Sequence, residues 1–222
     1  MSARIPLTLP DPERDHISGS ADGWIRLLEY GDYECPFCAE FQPIVKEIQR
    51  RLGDDLLFAF RNFPLTNIHP HSEHAAEAAE AAGVQGNFWG MHDLLFENQG
   101  ALEDDDLAAY AAKLGLDQTR LIREVIWKIY TQRIREDFKS GVRGGVNGTP
   151  TFFINGERYD GPPDLKHLLN ALSFQSTWRS APPIKERSSG RIAPVTEGTS
   201  GIELARPKLF HKSREVVQKR EL

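Results

Sequence analysis

Hydrophobic positions along the chain change their spacing several times, and each change marks an element. Trp24, Ile25, Leu27, Leu28 and Tyr30 make a short apolar run that predicts a mostly buried strand. Directly after it, Phe37, Phe41, Ile44, Val45, Ile48 and Leu52 recur at helical intervals, and Gly53 offers a stop, so an amphipathic helix of several turns is expected. Pro36 suits the first turn, where its missing N–H is no loss, whereas Pro43 lies inside the periodic stretch and is expected to kink it. Residues 56–63, with three phenylalanines and ended by Pro64, predict a second strand. Strand, helix, strand is the beginning of an α/β fold.

Over residues 71–141 the pattern turns helical throughout. An alanine-rich helix runs to about Ala82, a second spans Phe88 to Phe96, and a third runs from Asp104 to Leu114. A long fourth helix is expected from Asp117, its N-cap, to Gly141, its C-cap, with Leu121, Ile122, Val125, Ile126, Ile129, Ile134 and Phe138 on one stripe. Phe88, Trp89, Met91, Leu94 and Leu95 keep helical spacing and read as the core of this block, and Trp127 carries the same ambiguity between core and groove. Strand signals return at residues 151–154 and 157–159 around Asn155-Gly156, a two-residue hairpin turn, and Asp164 caps a last helix to Leu172. Residues 1–22 read as an irregular lead-in. Residues 175–222 read as a flexible, disordered tail whose Arg179, Lys185, Arg187 and Arg191 are solvated.

The 222 residues are 40% hydrophobic and 27% charged with a formal net charge of -5, which describes a soluble globular protein, not a nucleic-acid binder or a membrane span. The first dozen residues hold no apolar run of secretory length, so a cytoplasmic location is expected, where thiol pairs tend to be transient and catalytic. The only two cysteines, Cys35 and Cys38, would close too small a loop to staple the chain.

Three readings compete for the pair: catalysis, half of a zinc site, or inert packing. Spacing alone does not decide among them. At a helix N-terminus, unpaired N–H groups favour a thiolate at Cys35 and make it the nucleophile, with Cys38 one turn deeper to resolve a mixed disulfide. Glu29 sits in an apolar strand six residues before Cys35; if buried, its pKa is raised and it can take the proton from Cys38. If it faces solvent on an edge strand, it does neither. Gly148, Thr149 and Pro150 precede a strand; a cis bond at Pro150 would lay it against the dithiol and free neighbouring backbone for a substrate peptide, whereas a trans proline would merely begin the strand. His69, His71 and His74 cluster near a helix entrance without a companion ligand nearby in sequence, which disfavours a metal site; two of them joining the cysteines across space is the rival arrangement. Glu103 to Asp106 is read as a helix start. No phosphate loop or nucleophile elbow is present, and no cofactor is implied.

The run Leu28-Glu29-Tyr30-Gly31-Asp32-Tyr33-Glu34-Cys35-Pro36-Phe37-Cys38, the later Arg61-Asn62-Phe63-Pro64-Leu65, and Val146-Asn147-Gly148-Thr149-Pro150-Thr151-Phe152-Phe153 resemble the DsbA-like branch of the thioredoxin superfamily over roughly residues 14–173. The resemblance implies a thioredoxin fold interrupted by a helical insertion. It also implies disulfide exchange with protein or peptide thiols, with glutathione or the thioredoxin system as candidate regenerating partners. The family's acid, kinking proline and cis-proline fall on Glu29, Pro43 and Pro150. Between the cysteines this chain has Pro36-Phe37 where the best-known periplasmic oxidases have Pro-His. The Phe37 side chain cannot donate a positive charge or a hydrogen bond to the thiolate and Glu34 should oppose it, so a less oxidising pair is expected. The competing classes are a redox-inactive thioredoxin-like binding module or chaperone, and a glutathione-linked transferase or isomerase.

Overall fold

Two parallel strands carry the architecture of the computed structural model, which describes residues 9–174; the expected tail and its basic residues lie outside them. β1 (His16–Gly19) and β2 (Ile25–Gly31) come first, then α1 (Pro36–Leu52), then β3 (Leu56–Asn62). β2 and β3 pair in parallel, Leu27 opposite Phe58 and Glu29 opposite Phe60, so α1 is the crossover between them. β4 (Thr151–Ile154) pairs antiparallel on the other side of β2, with Glu29 opposite Phe152, and β5 (Glu157–Arg158) pairs with β4. The sheet order is β1-β3-β2-β4-β5. Asn155 and Gly156 turn the last hairpin with φ of 50° and 89°, the left-handed pair that a two-residue turn needs.

β2 is buried on both faces because its alternating side chains serve two cores. Ile25 and Leu27 join Phe58, Phe60, Phe152 and the buried faces of α1 and of the later helices, among them α2 (Ser72–Val84), α3 (Phe88–Glu97) and α7 (Leu165–Phe174). Leu28 and Tyr30 join Ala59, Phe63, Val146 and Phe153 on the opposite face. Each such side chain stabilises the fold by about 1.5–3 kcal/mol. α1 continues through Pro43 as one helix, so the proline does not divide it. The sequence expectation that Phe88, Met91 and Leu95 are core holds, all being buried.

Two expectations fail. The lead-in contains a strand: β1 pairs antiparallel with β3, His16 opposite Phe60. At four residues it has no apolar run of its own, and its order comes from partners such as Trp89 Nε1, which donates to the Ile17 carbonyl at 2.9 Å. The long helix after Asp117 is two helices, α5 (Gln118–Ile126) and α6 (Thr131–Arg143), broken where Lys128 adopts φ 51°. Leu121, Val125 and Ile134 are buried, but Ile126, Trp127 and Ile129 are exposed, so the apparent stripe mixes core with surface. The buried Glu77 of α2 fixes the break: it accepts the Tyr130 N–H at 2.8 Å and the Thr131 hydroxyl at 2.6 Å, satisfying groups that the start of α6 leaves open. Gly141 lies inside α6 and is no cap; a Cβ there would meet Phe63 at 2.8 Å and Tyr30 at 3.0 Å.

α4 (Asp104–Lys113) completes the helical block and starts in the acidic run, where Glu103 N–H donates to Asp106. Among the described residues, no helix is long and apolar enough to cross a membrane.

Candidate active site

Parallel pairing brings the C-terminal ends of β2 and β3, the start of α1 and the start of β4 to one end of the sheet. Cys35 is the N-cap of α1, in extended conformation, and Cys38 lies in the first turn; both thiols are free and buried. The turn is held from several sides. Cys35 N–H donates to the Asp32 carbonyl at 3.1 Å, and Gln99 Nε2 donates to the carbonyls of Tyr33 and Cys35 at 2.8 Å each. Cys35 Sγ donates to the Thr149 carbonyl at 3.4 Å, and Asp32 N–H donates to Cys38 Sγ at 3.5 Å.

These contacts separate the two sulfurs electrostatically. The Cys38 thiol's hydrogen bond is the largest influence on Cys35; burial works against it, but Thr149 and the N–H groups of Cys38 and Phe37 add to it, holding Cys35 down to about 5. Cys38 is pushed far the other way, by burial first, then by bonding to Cys35 and by the nearby Glu29. Thr149 Oγ1 is buried and has no hydrogen-bond partner among the described residues. The Thr149–Pro150 bond is cis, and Thr151 Oγ1 donates to the Gly148 carbonyl at 2.7 Å behind it.

Glu29 lies on a central strand, fully buried, which removes the edge-strand alternative. Neither of its oxygens has a hydrogen-bond partner among the described residues. Burial, with a smaller contribution from charge on Cys35, raises its pKa to about 8. Gly31 makes the room: a Cβ there would sit 2.3 Å from the Phe60 ring and 3.1 Å from Glu29 Oε1.

The expected opposition from Glu34 meets a counterpart the sequence did not show. Glu34 accepts the His71 N–H at 2.6 Å and contacts His71 Nδ1 at 3.1 Å, a bond that raises the His71 pKa. His69 bonds Asp32 at 2.8 Å and His74 bonds Asp104 at 2.8 Å, so all three histidines face carboxylates supplied from elsewhere in the chain. Pro36 and Phe37 are exposed, Phe37 by 64%, and form the open rim beside Cys35. Sequence reasoning did not single out Asp32 or Gln99; no spacing rule marks a residue whose role is to hold a neighbouring turn.

A sheet of this order with a pair of cysteines at the start of the crossover helix and a helical block between β3 and β4 is a thioredoxin-like fold. The chain superposes on BdbD of Bacillus subtilis in its oxidised form with a TM-score of 0.69, covering 76% of this chain and 96% of that one at 22% identity. On alpha-DsbA1 of Wolbachia pipientis the TM-score is 0.65, with 76% and 93% covered at 23% identity. The sequence profile of the thioredoxin family matches residues 11–173, and the chain belongs to that family. Among curated relatives, it is 40% identical over 192 residues to the Na(+)/H(+) antiporter NhaA 1 of Salinispora arenicola, covering 86% of this chain and 29% of that protein. It is 43% identical over 166 residues to the Na(+)/H(+) antiporter NhaA 1 of Mycobacterium sp. (strain KMS), covering 73% and 27%. The chain thus spans less than a third of the relatives it matches.

Proposed function

We propose that this protein is a thiol-disulfide oxidoreductase acting on protein or peptide partners through Cys35 and Cys38. The observation that carries the reading is the opposed protonation of two adjacent sulfurs, Cys35 held near 5 and Cys38 driven up, beside a buried carboxyl with no partner among the described residues. An inert pair or a vestigial one in a binding module has no use for that costly arrangement.

In the reducing direction, the Cys35 thiolate attacks a partner disulfide, forming a mixed disulfide and expelling the partner's other sulfur as thiolate. Glu29 accepts the Cys38 proton; Cys38 then attacks Cys35 Sγ, closing the Cys35–Cys38 disulfide and expelling the partner's second sulfur as a thiolate, and the two partner thiolates take up one proton from Glu29 and the other from solvent. Two electrons pass to the partner, and the reverse sequence oxidises it. Gly148, Thr149 and Pro150 offer backbone to an extended peptide beside Cys35. Glutathione or the thioredoxin system would restore the starting state. The Phe37 side chain argues for a poise below that of a strong oxidase, about -120 mV, whereas the lowered Cys35 thiol and the His71 counterpart to Glu34 favour the reduced state and raise the poise above that of a cytoplasmic reductase, near about -270 mV. Cys35→Ser is expected to abolish exchange with folding intact, and Cys38→Ala to accumulate a mixed disulfide; turnover by the Cys35→Ser protein would defeat the assignment.

The relatives favour one partner class. The unit represented by this chain recurs as a segment of longer proteins named as Na(+)/H(+) antiporters. We infer that the exchange partner is a cation antiporter polypeptide. Mass spectrometry of the mixed disulfides that Cys38→Ala accumulates in its source cells tests this: an antiporter peptide joined to Cys35 supports it, and trapped species without one remove it.

A further inference from the structure

Asp32 stands between the dithiol and the loop after β3, and both its backbone and its side chain are committed. Its N–H donates to Cys38 Sγ at 3.5 Å and its carbonyl accepts the Cys35 N–H at 3.1 Å. Its carboxylate is buried. One oxygen accepts the Glu34 N–H at 2.9 Å; the other accepts the Leu65 N–H at 2.8 Å and bonds His69 Nδ1 at 2.8 Å. Of these partners, only the His69 ring can supply a positive charge, and it lies near the surface with 15% of its side chain exposed. A buried carboxylate requires such a fixed set of donors, and its position in turn fixes the peptide it belongs to.

We propose that Asp32 and His69 are a positioning pair that sets the redox poise of Cys35–Cys38. By anchoring the Asp32 carboxylate, His69 keeps the Asp32 N–H aimed at Cys38 Sγ. A thiol or thiolate sulfur accepts a hydrogen bond better than a disulfide sulfur does, so a fixed donor there favours the reduced state. The inference rests on the exchange reading above and adds a control on its equilibrium.

The test is equilibration of the wild type, His69→Ala and His69→Asn in glutathione redox buffers, with free thiols trapped by a mass-shifting maleimide. Two glutathione thiols are oxidised to one glutathione disulfide for each Cys35–Cys38 disulfide reduced, so the thiol fraction reads the equilibrium constant directly. His69→Ala is expected to shift that constant about three- to tenfold toward the protein disulfide, a tenfold change being about 30 mV. His69→Asn, whose amide N–H can stand where Nδ1 does, is expected to return to within about twofold of wild type. A reversible wild type with an unmoved His69→Ala protein overturns the pair alone, as does an equal shift in both variants, which would mean that the ring only packs. A wild type with no reversible transition overturns the exchange reading and the pair together.

Discussion

On one face of the sheet, Arg61 gives Nε and Nη2 to Asp15 at 2.9 and 2.6 Å and Nη1 to the Tyr30 hydroxyl at 2.9 Å, while Tyr30 also bonds Ser140. On the other face Glu29, one residue before Tyr30 on the same strand, is equally buried and has no bond among the described residues. Asp137 belongs with the first group: fully buried, it accepts from Arg14 and from the Asn62 N–H. Burial raises it to about 6 even so, with Arg14 and Arg133 pulling it down and Glu80 pushing it up. The two faces have the same access to solvent and different accounts of charge. Where a buried charge is paired, its desolvation is offset and the pair ties distant segments together. Where it is left alone, the fold carries the cost, and the group is available to hold or release a proton near neutral pH.

Breaking the paired side should have the largest effect on the fold. Arg61→Met leaves the Asp15 carboxylate with only Arg14 and the Asp11 N–H of its named donors, and a loss of up to about 3 kcal/mol is expected in urea denaturation, with the exchange rate per folded molecule unchanged within about twofold. Glu29→Gln should do the reverse, slowing exchange by roughly 100-fold, or about 2.7 kcal/mol of barrier, without loss of stability at pH 9. If Glu29→Gln destabilises as Arg61→Met does, the contrast between the faces collapses.

Acidity sharpens the comparison further. Because Glu29 rises from 4.5 to about 8 on folding, the native state binds its proton more tightly. Its effect is therefore a loss of stability as pH climbs through that window, complete above about 8. Cys35, lowered from 9.0 to about 5, acts oppositely in the reduced protein: its contribution is fully present above pH 9 and lost as pH falls through about 5. Thermal melts between pH 5 and 8.5 should show the oxidised protein losing stability with pH, the Glu29→Gln oxidised protein with a flatter profile, and the reduced protein gaining relative to the oxidised one. A Glu29→Gln profile as steep as wild type would place the slope elsewhere. The smallest effect lies at the break between α5 and α6. Lys128→Gly relieves a left-handed backbone and gives up an exposed contact with Glu73 at 3.2 Å, for a net change between zero and about 1 kcal/mol of added stability.

Much of the core fold is legible locally. The strand before the cysteines, the amphipathic helix after them and the Asn155-Gly156 hairpin follow from spacing and turn chemistry, since period 2 and period 3.6 report which side chains face inward. The burial of Glu29 is half legible: an acid amid Leu27, Leu28 and Tyr30 has little alternative once the strand is central, but centrality comes from β4, more than a hundred residues later. β1 is illegible because four mixed residues carry no period. The break between α5 and α6 is illegible because Ile126 and Ile129 keep helical spacing although they are exposed, and the capping carboxylate, Glu77, lies on another helix.

Alone, the sequence determined most of the elements, though neither β1 nor the break between α5 and α6, together with the placement of Cys35 and Cys38 at a helix start and an acid within the preceding strand. Tertiary structure decided which charges are satisfied. Arg61 finds Asp15 across 46 positions, His69 finds Asp32 across 37, and Glu29 finds no such partner among the described residues. Periodicity encodes burial because it is a property of one element. Pairing depends on which elements the topology makes neighbours, and that is settled only when the sheet and its helices close around their common core.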